Sequence, residues 1–205
     1  MKTILITGAS SGIGLACARK LSGGNKLILC SRSLAALENI KSETGDTKNM
    51  FVFSVDVTSQ SQIRKMFKSM ESLNLYPDVL INSAGVALGL EKLENGQINE
   101  WDQMIDTNVR GLLMVSKFAL TIMKERNSGH IINIGSIAGI TSYSKGVVYA
   151  ATKAAVKSIS DGLRKEVIEN KIKITNIQPG LVETNFSNTR FGGDVEKAKN
   201  VYKGI

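Results

Sequence analysis

The stretch Gly8-Ala9-Ser10-Ser11-Gly12-Ile13-Gly14 follows directly on Thr3-Ile4-Leu5-Ile6-Thr7, and it restricts the possible folds more than any other part of the chain. A β-type run ends in three spaced glycines, and a helical pattern begins over residues 13–21. Gly8 permits a tight turn, Gly12 lets backbone approach a pyrophosphate, and Gly14 allows a helix to pack closely on a strand. The unpaired N–H groups of such a helix N-terminus face the anion. Ser10, Ser11 and Ile13 lie in the same loop and are expected beside the phosphates. A glycine triplet alone is weak evidence, but its placement between a strand and a helix strengthens it.

The rest of the chain repeats that alternation. Nearly unbroken apolar runs at residues 3–7, 26–30, 50–54, 78–82, 130–135 and 173–178 read as strands buried on both faces of a parallel sheet. Helical patterns at 13–21, 33–42, 59–72, 98–124 and 147–169 lie between them. Strand–helix alternation from the first residue predicts an α/β fold, a doubly wound parallel sheet. Ser59 is placed to cap its helix, and Gly111 and Gly162 within helices predict close packing against a neighbour. Trp101 and the Met66/Met70 pair read as core. No repeat or Pro-rich linker interrupts the 205 residues, so one domain over 1–205 is expected.

Charge is less ordinary than length. Twenty-six basic residues against 18 acidic give a formal +8, a balance open to nucleic acid, a membrane surface or an anionic cofactor. The lysines are scattered along the chain, which favours a solvated surface and gives no nucleic-acid tract. No apolar run is long enough to span a bilayer. Cys17 and Cys30 make no metal or redox spacing and read as buried free thiols. No metal site is expected, and lone His130 reads as structural. The strand that opens the chain leaves no room for a signal peptide there, so the expected location is the cytoplasm.

The second strand carries the choice of nucleotide. An NAD site places a carboxylate at its end, to bond the ribose 2′-hydroxyl. Here the strand ends Cys30-Ser31-Arg32. A hydroxyl and a guanidinium suit the extra 2′-phosphate of NADP, which arginine can bond bidentately.

Together these stretches resemble the short-chain dehydrogenase/reductase family over nearly the whole chain. The glycine stretch matches its TGxxxGxG pattern. Asp56-Val57 after strand three is similar to the pair that contacts adenine. Asn82-Ser83-Ala84-Gly85 is similar to its NNAG motif, with Ser83 where a second asparagine is usual. Asn108, Ser136, Tyr149 and Lys153 fall at the spacing of its catalytic tetrad. Pro179-Gly180-Leu181-Val182-Glu183-Thr184 resembles its PGxVxT segment, which lies against the nicotinamide. The resemblance implies the strand order 3-2-1-4-5-6, an NADP cofactor, a small-molecule substrate, and a homo-oligomer, dimer or tetramer, packed through the two long helices. It also implies a further helix and a seventh strand. The sequence ends at Ile205, so the sheet is expected to stop at strand six with an unpaired edge, and reduced activity or altered assembly is expected with it.

The chemistry of hydride transfer asks for such a set. An alkoxide formed from a carbonyl needs a proton, and a free tyrosine at pKa ~10 is a poor base near neutrality. Lys153, one helical turn beyond Tyr149, can lower its pKa by charge and hold ribose hydroxyls. Ser136, at the C-terminal end of strand five, can bond the reacting oxygen. The resemblance gives Asn108 the holding of a proton-relay water. Residues 87–91, 101–108, 129–136 and 186–194 resemble one branch of the family, the NADP-dependent 3-hydroxy acid dehydrogenases. That implies oxidation of the 3-hydroxyl of serine, allo-threonine or 3-hydroxypropionate, or reduction of a semialdehyde. Such substrates carry a carboxylate, and Arg190 is the candidate cation; it could equally brace its own loop. Two alternatives stay open: a reductase of a 3-oxoacyl thioester or a sugar, and a cofactor-binding sensor or scaffold without catalysis.

Overall fold

The computed structural model describes residues 1–184, 186–191, 193–194 and 196. Six parallel strands form one sheet in the order β3-β2-β1-β4-β5-β6. They are β1 (Thr3–Thr7), β2 (Lys26–Ser31), β3 (Met50–Ser54), β4 (Val79–Asn82), β5 (Gly129–Ile134) and β6 (Ile172–Ile177). Helices α1 (Gly12–Leu21), α2 (Leu34–Thr44), α3 (Gln60–Ser72), α4 (Ile98–Ile105), α5 (Leu112–Glu125), α6 (Val147–Glu166) and the short α7 (Phe186–Arg190) connect or follow them. The expected doubly wound order is present, and the strand order reverses between β1 and β4, where ligand crevices open in such sheets.

Two apolar layers hold the sheet. On one face Leu5, Ile28, Leu80 and Ile131 pack under Ile63, Met66, Met70, Val115 and Ala119 from α3 and α5. On the other, Ile4, Ile6, Leu27, Leu29 and Ile81 meet Ala18, Leu37 and Ile40 from α1 and α2. Central β1 and β2 are buried on both faces almost throughout, while the edge strands β3 and β6 are partly exposed. The apolar-run reading therefore holds for the middle of the sheet and weakens at its edges, where one side meets solvent.

Several local expectations come out differently. The helix expected over 98–124 is interrupted by a π-helical turn, Asp106–Gly111, between α4 and α5. Gly111 lies against Val57: a Cβ there would stand only 3.0 Å from the Val57 side chain and carbonyl, so its close packing is present. Gly162 has open space around it, and the same expectation fails there. Ser59 does cap α3, accepting from the Gln62 N–H at 3.4 Å. Met66 and Met70 are core residues, but Trp101 is only half-buried and lies against Gly96. Cys30 is buried and Cys17 half-buried; both are free thiols. Burial pushes the Cys30 thiol up to about 12, so it is no nucleophile at neutral pH. No helix among the described residues is long and apolar enough to cross a membrane. The chain beyond residue 196, and Gly192 within the 186–194 stretch, lie outside the described residues.

Candidate active site

The C-terminal ends of the strands open into a cavity of about 1140 Å³. Of the residues singled out in the sequence, Gly8, Ser10, Ser11, Gly12, Ile13, Ser31, Arg32, Asp56, Val57, Ala84 and Gly85 line it. So do Ser136, Tyr149, Lys153, Pro179, Gly180, Val182, Thr184 and Arg190. Gly14, Asn82 and Asn108 do not reach it.

The glycine loop is built by sterics. Gly8 has φ +64°, and a Cβ there would stand 2.8 Å from the Ala84 backbone. The Thr7 hydroxyl accepts from the N–H groups of Ser83 and Ala84, both at 3.1 Å, and ties the β1 loop to the β4 loop. Gly12 has φ +52°, the left-handed region that disfavours a side chain. Gly14 is different: its backbone is ordinary, but a Cβ would run into the Gly8 carbonyl. It serves the site by letting α1 approach the loop.

At the end of β2, Arg32 is exposed and Ser31 is buried, its hydroxyl donating to the Ser33 carbonyl at 3.2 Å. Ser33 caps α2 through the Ala36 N–H. No carboxylate occupies the end of β2, so this corner suits a phosphate on the ribose better than a 2′-hydroxyl alone. Beside this corner, after β3, Asp56 accepts from the Thr58 N–H and hydroxyl at 2.9 and 2.8 Å, which holds the turn.

Asn82 and Asn108 act from behind the wall. Asn82 donates to the Ser116 hydroxyl and to Asn133 Oδ1, both at 2.9 Å, and Asn133 donates on to Ser160 at 2.9 Å. This buried chain ties β4, β5, α5 and α6 together beneath the cavity floor. Asn108, in the π-helical turn, accepts from the Val86 N–H and donates to the Val86 carbonyl, each at 2.8 Å. Its amide also donates to the Thr152 hydroxyl at 3.0 Å, and Thr152 donates to the Tyr149 carbonyl at 2.7 Å. The Asn108 side chain is thus occupied in joining the β4 loop to α6, leaving only its main chain for a relay water.

Tyr149 and Lys153 share one face of α6. Ser136 faces the Tyr149 phenol and acts to lower its pKa, and Ser136 Oγ accepts from the Ala138 N–H at 3.1 Å. Lys153 Nζ donates to the Ile134 carbonyl at 2.9 Å and lies 5.8 Å from the centre of the Tyr149 ring. Burial lowers Lys153 from 10.5 to about 8. Burial also raises the Tyr149 phenol, opposed by Ser136, reinforced by the Tyr143 phenol, and opposed again by the Arg190 cation. The sequence assigned the downward pull to Lys153. Here Lys153 donates to a strand carbonyl, and a second cation, Arg190, stands equally near: its guanidinium carbon also lies 5.8 Å from the ring centre and acts to lower the phenol.

Sequence reading missed Tyr143, Thr152, Ser116, Asn133 and Ser160. The last four carry no local signal, because their partners come from other elements. Tyr143 had one: it is an aromatic residue six positions before Tyr149.

A doubly wound sheet with a glycine-loop crevice, and a Ser–Tyr–Lys cluster opening into that crevice, defines a nucleotide-dependent oxidoreductase by its architecture. The chain belongs to the short chain dehydrogenase family, whose profile matches residues 2–193. It is 42% identical to the NADP-dependent 3-hydroxy acid dehydrogenase YdfG of Escherichia coli O157:H7, over 98% of this chain and 81% of that protein. It is 43% identical to the NADP-dependent 3-hydroxy acid dehydrogenase of Schizosaccharomyces pombe, over 98% and 80%. The closed form of a serine dehydrogenase complexed with NADP+ superposes with a TM-score of 0.94 at 41% identity, over 98% of this chain and 82% of that one.

Proposed function

We propose that this enzyme uses NADP(H) to interconvert the 3-hydroxyl and 3-oxo forms of a small carboxylic acid, such as serine, allo-threonine or 3-hydroxypropionate. The observation that carries the reading is the Arg190 guanidinium, half-buried over the Tyr149 ring and lining the same cavity. A cation beside the proton-transfer group is what a substrate carboxylate needs. The relatives named for 3-hydroxy acids and serine support it.

The cavity fits a dinucleotide. At about 1140 Å³ it exceeds the roughly 300–1,000 Å³ that a single drug-sized ligand occupies. Gly8, Ser10, Ser11, Gly12 and Ile13 would hold the pyrophosphate at the start of α1, with Gly14 letting that helix approach. Ser31 and Arg32 would take the 2′-phosphate, Asp56 and Val57 the adenine. Ala84 and Gly85 would border the ribose, braced by Asn82, while Pro179, Gly180, Val182 and Thr184 would wall the nicotinamide. When bound, the nicotinamide accepts or supplies the hydride.

The chain's own residues handle the proton. In oxidation, Tyr149 takes the substrate hydroxyl proton as hydride leaves the carbon; in reduction it returns that proton to the forming alkoxide. Ser136 orients the reacting oxygen by a hydrogen bond that strengthens as negative charge develops there. Lys153 supplies positive charge and hydrogen-bond donors at the nicotinamide ribose, and Asn108 keeps α6 in register with the β4 loop.

The test compares NADP+ reduction by L-serine, L-allo-threonine and 3-hydroxypropionate with turnover of a ketoacyl thioester. The acids are expected to be oxidised, and Tyr149→Phe to remove most turnover, by about 10²-fold or more. Preferred turnover of the thioester, or unchanged turnover in Tyr149→Phe, overturns the reading.

A further inference from the structure

Tyr143 lines the same cavity and has no role in the mechanism above. The Arg190 guanidinium carbon lies 5.5 Å from the Tyr143 ring centre and 5.8 Å from that of Tyr149. One cation therefore faces two phenol rings, one from the segment before α6 and one from α6 itself.

Both ends of this arrangement are held. A Cβ at Gly146 would enter the Tyr143 ring, while φ at Gly146 is −116°, backbone that any residue adopts. The missing side chain there therefore makes room for the ring. The Gly146 N–H donates to the Tyr143 carbonyl at 3.2 Å, closing the turn. Arg190 is tied on the far side: its Nε donates to the Gly89 carbonyl at 3.1 Å, and its carbonyl accepts from the Gly89 N–H at 3.2 Å. Phe186, also on α7, packs on Tyr149 with ring centres 5.8 Å apart. Guanidinium groups are attracted to aromatic faces, the more so when partly desolvated.

We propose that Tyr143 is a specificity-determining positioning residue. With Tyr149 it clamps the Arg190 guanidinium over the proton-transfer phenol, so that a substrate carboxylate and the phenol answer to one cation. The proposal rests on the hydroxy-acid reading above and deepens it. A guanidinium beside the ring favours the phenolate, and Arg190 acts on Tyr149 in that direction, while the Tyr143 phenol acts in the opposite one. The other groups facing the phenol are Ser136, Tyr143 and Lys153. Glu91, Lys92, Glu100 and Lys145 line a small alcove that opens beside Tyr149 and Arg190. Among the described residues Arg190 is the cation that stands against both rings, so loss of the Tyr143 face should loosen carboxylate binding.

The experiment measures kcat and KM for 3-hydroxypropionate and for its neutral amide, across pH, in the wild type and in Tyr143→Leu, Tyr143→Phe and Arg190→Gln. A turnover-free readout accompanies it: the phenol absorbance titration of each protein, with the matching Tyr149→Phe background subtracted to isolate Tyr149. Tyr143→Leu is expected to raise KM for the acid by roughly tenfold, as loss of a desolvated cation–π contact would. KM for the amide should move less than about twofold. Arg190→Gln should move the rising limb of the oxidation pH profile, and the Tyr149 titration, to higher pH. Tyr143→Phe keeps the ring and should restore KM for the acid. If Arg190→Gln changes the acid-to-amide ratio while Tyr143→Leu leaves it unchanged, the clamp is wrong and the hydroxy-acid reading stands. If the wild type does not prefer the acid, or Arg190→Gln leaves that preference intact, the hydroxy-acid reading fails and takes the clamp with it.

Discussion

At the scale of single residues, the charge on Lys153 is held at a cost. Its ammonium is buried, with the Ile134 carbonyl as its hydrogen-bond acceptor, and its pKa falls from 10.5 to about 8. The unfolded chain keeps this proton up to about pH 10.4, the folded protein only to about 8. Between these values the unfolded state binds more protons, so stability rises with pH across that window. Below about pH 8 the penalty is fully present, on the order of 3 kcal/mol. Lys153→Met should therefore raise Tm at pH 7 while lowering turnover, and the wild-type gain in Tm from pH 8 to 10 should shrink in the variant. Calorimetry across pH checks both; an unchanged or lowered Tm at pH 7 contradicts the account. Arg32 poses a simpler question. If its guanidinium meets the 2′-phosphate, Arg32→Ala should weaken NADP+ by about 10–100-fold and barely affect NAD+, as loss of a charge-assisted bond predicts. Cofactor-fluorescence titration reads both affinities.

At the scale of elements, two helical glycines predict opposite outcomes. A Cβ at Gly14 would meet the Gly8 carbonyl, which belongs to the loop that shapes the cavity. Gly14→Ala should cost about 1–3 kcal/mol of stability and weaken NADP+ binding, since α1 must back away from the loop. Gly162, in the interior of α6, has nothing within 4 Å of a Cβ. Gly162→Ala should stabilise the protein by about 0.4–1 kcal/mol and leave the cofactor affinity alone. Paired thermal melts with NADP+ titrations check the contrast. The π-helical turn belongs to this scale too. Its Asn108 amide satisfies both backbone groups of Val86 and reaches Thr152, so three segments are set by one side chain. Sequence periodicity ran through this region as one helix, because a single wide turn barely disturbs the apolar pattern.

At the scale of the whole molecule, α4 and α5 present Ile98, Ile105 and Leu113 to solvent, and α6 presents Val147. Exposed apolar residues on two neighbouring long elements suit contact with a second copy of the chain. Sedimentation is expected to give a multiple of the 22.1 kDa chain mass, and Leu113→Lys should shift it toward monomer. A monomeric wild type would remove the expected helix-mediated assembly.

The strand–helix alternation, the glycine loop and many of the residues that line the crevice were legible in the amino-acid sequence, and the family resemblance implied the strand order. Those features are local patterns or fixed spacings: apolar runs make central strands, and Thr7 to Gly14 makes a strand–turn–helix. Tyr149 and Lys153 are one helical turn apart, which puts them on one face before any tertiary contact forms. The electrical setting of Tyr149 was not legible in the same way. Arg190 reaches it from 41 positions along the chain through a clasp on Gly89, while the lysine beside it in sequence turns to a strand carbonyl. Likewise the Asn82–Asn133–Ser160 chain joins residues 51 and 27 positions apart. Spacing along a chain decides which residues share an element. Burial and charge between elements depend on three-dimensional distance, so it takes the packed structure to bring Arg190 to the phenol beside Lys153.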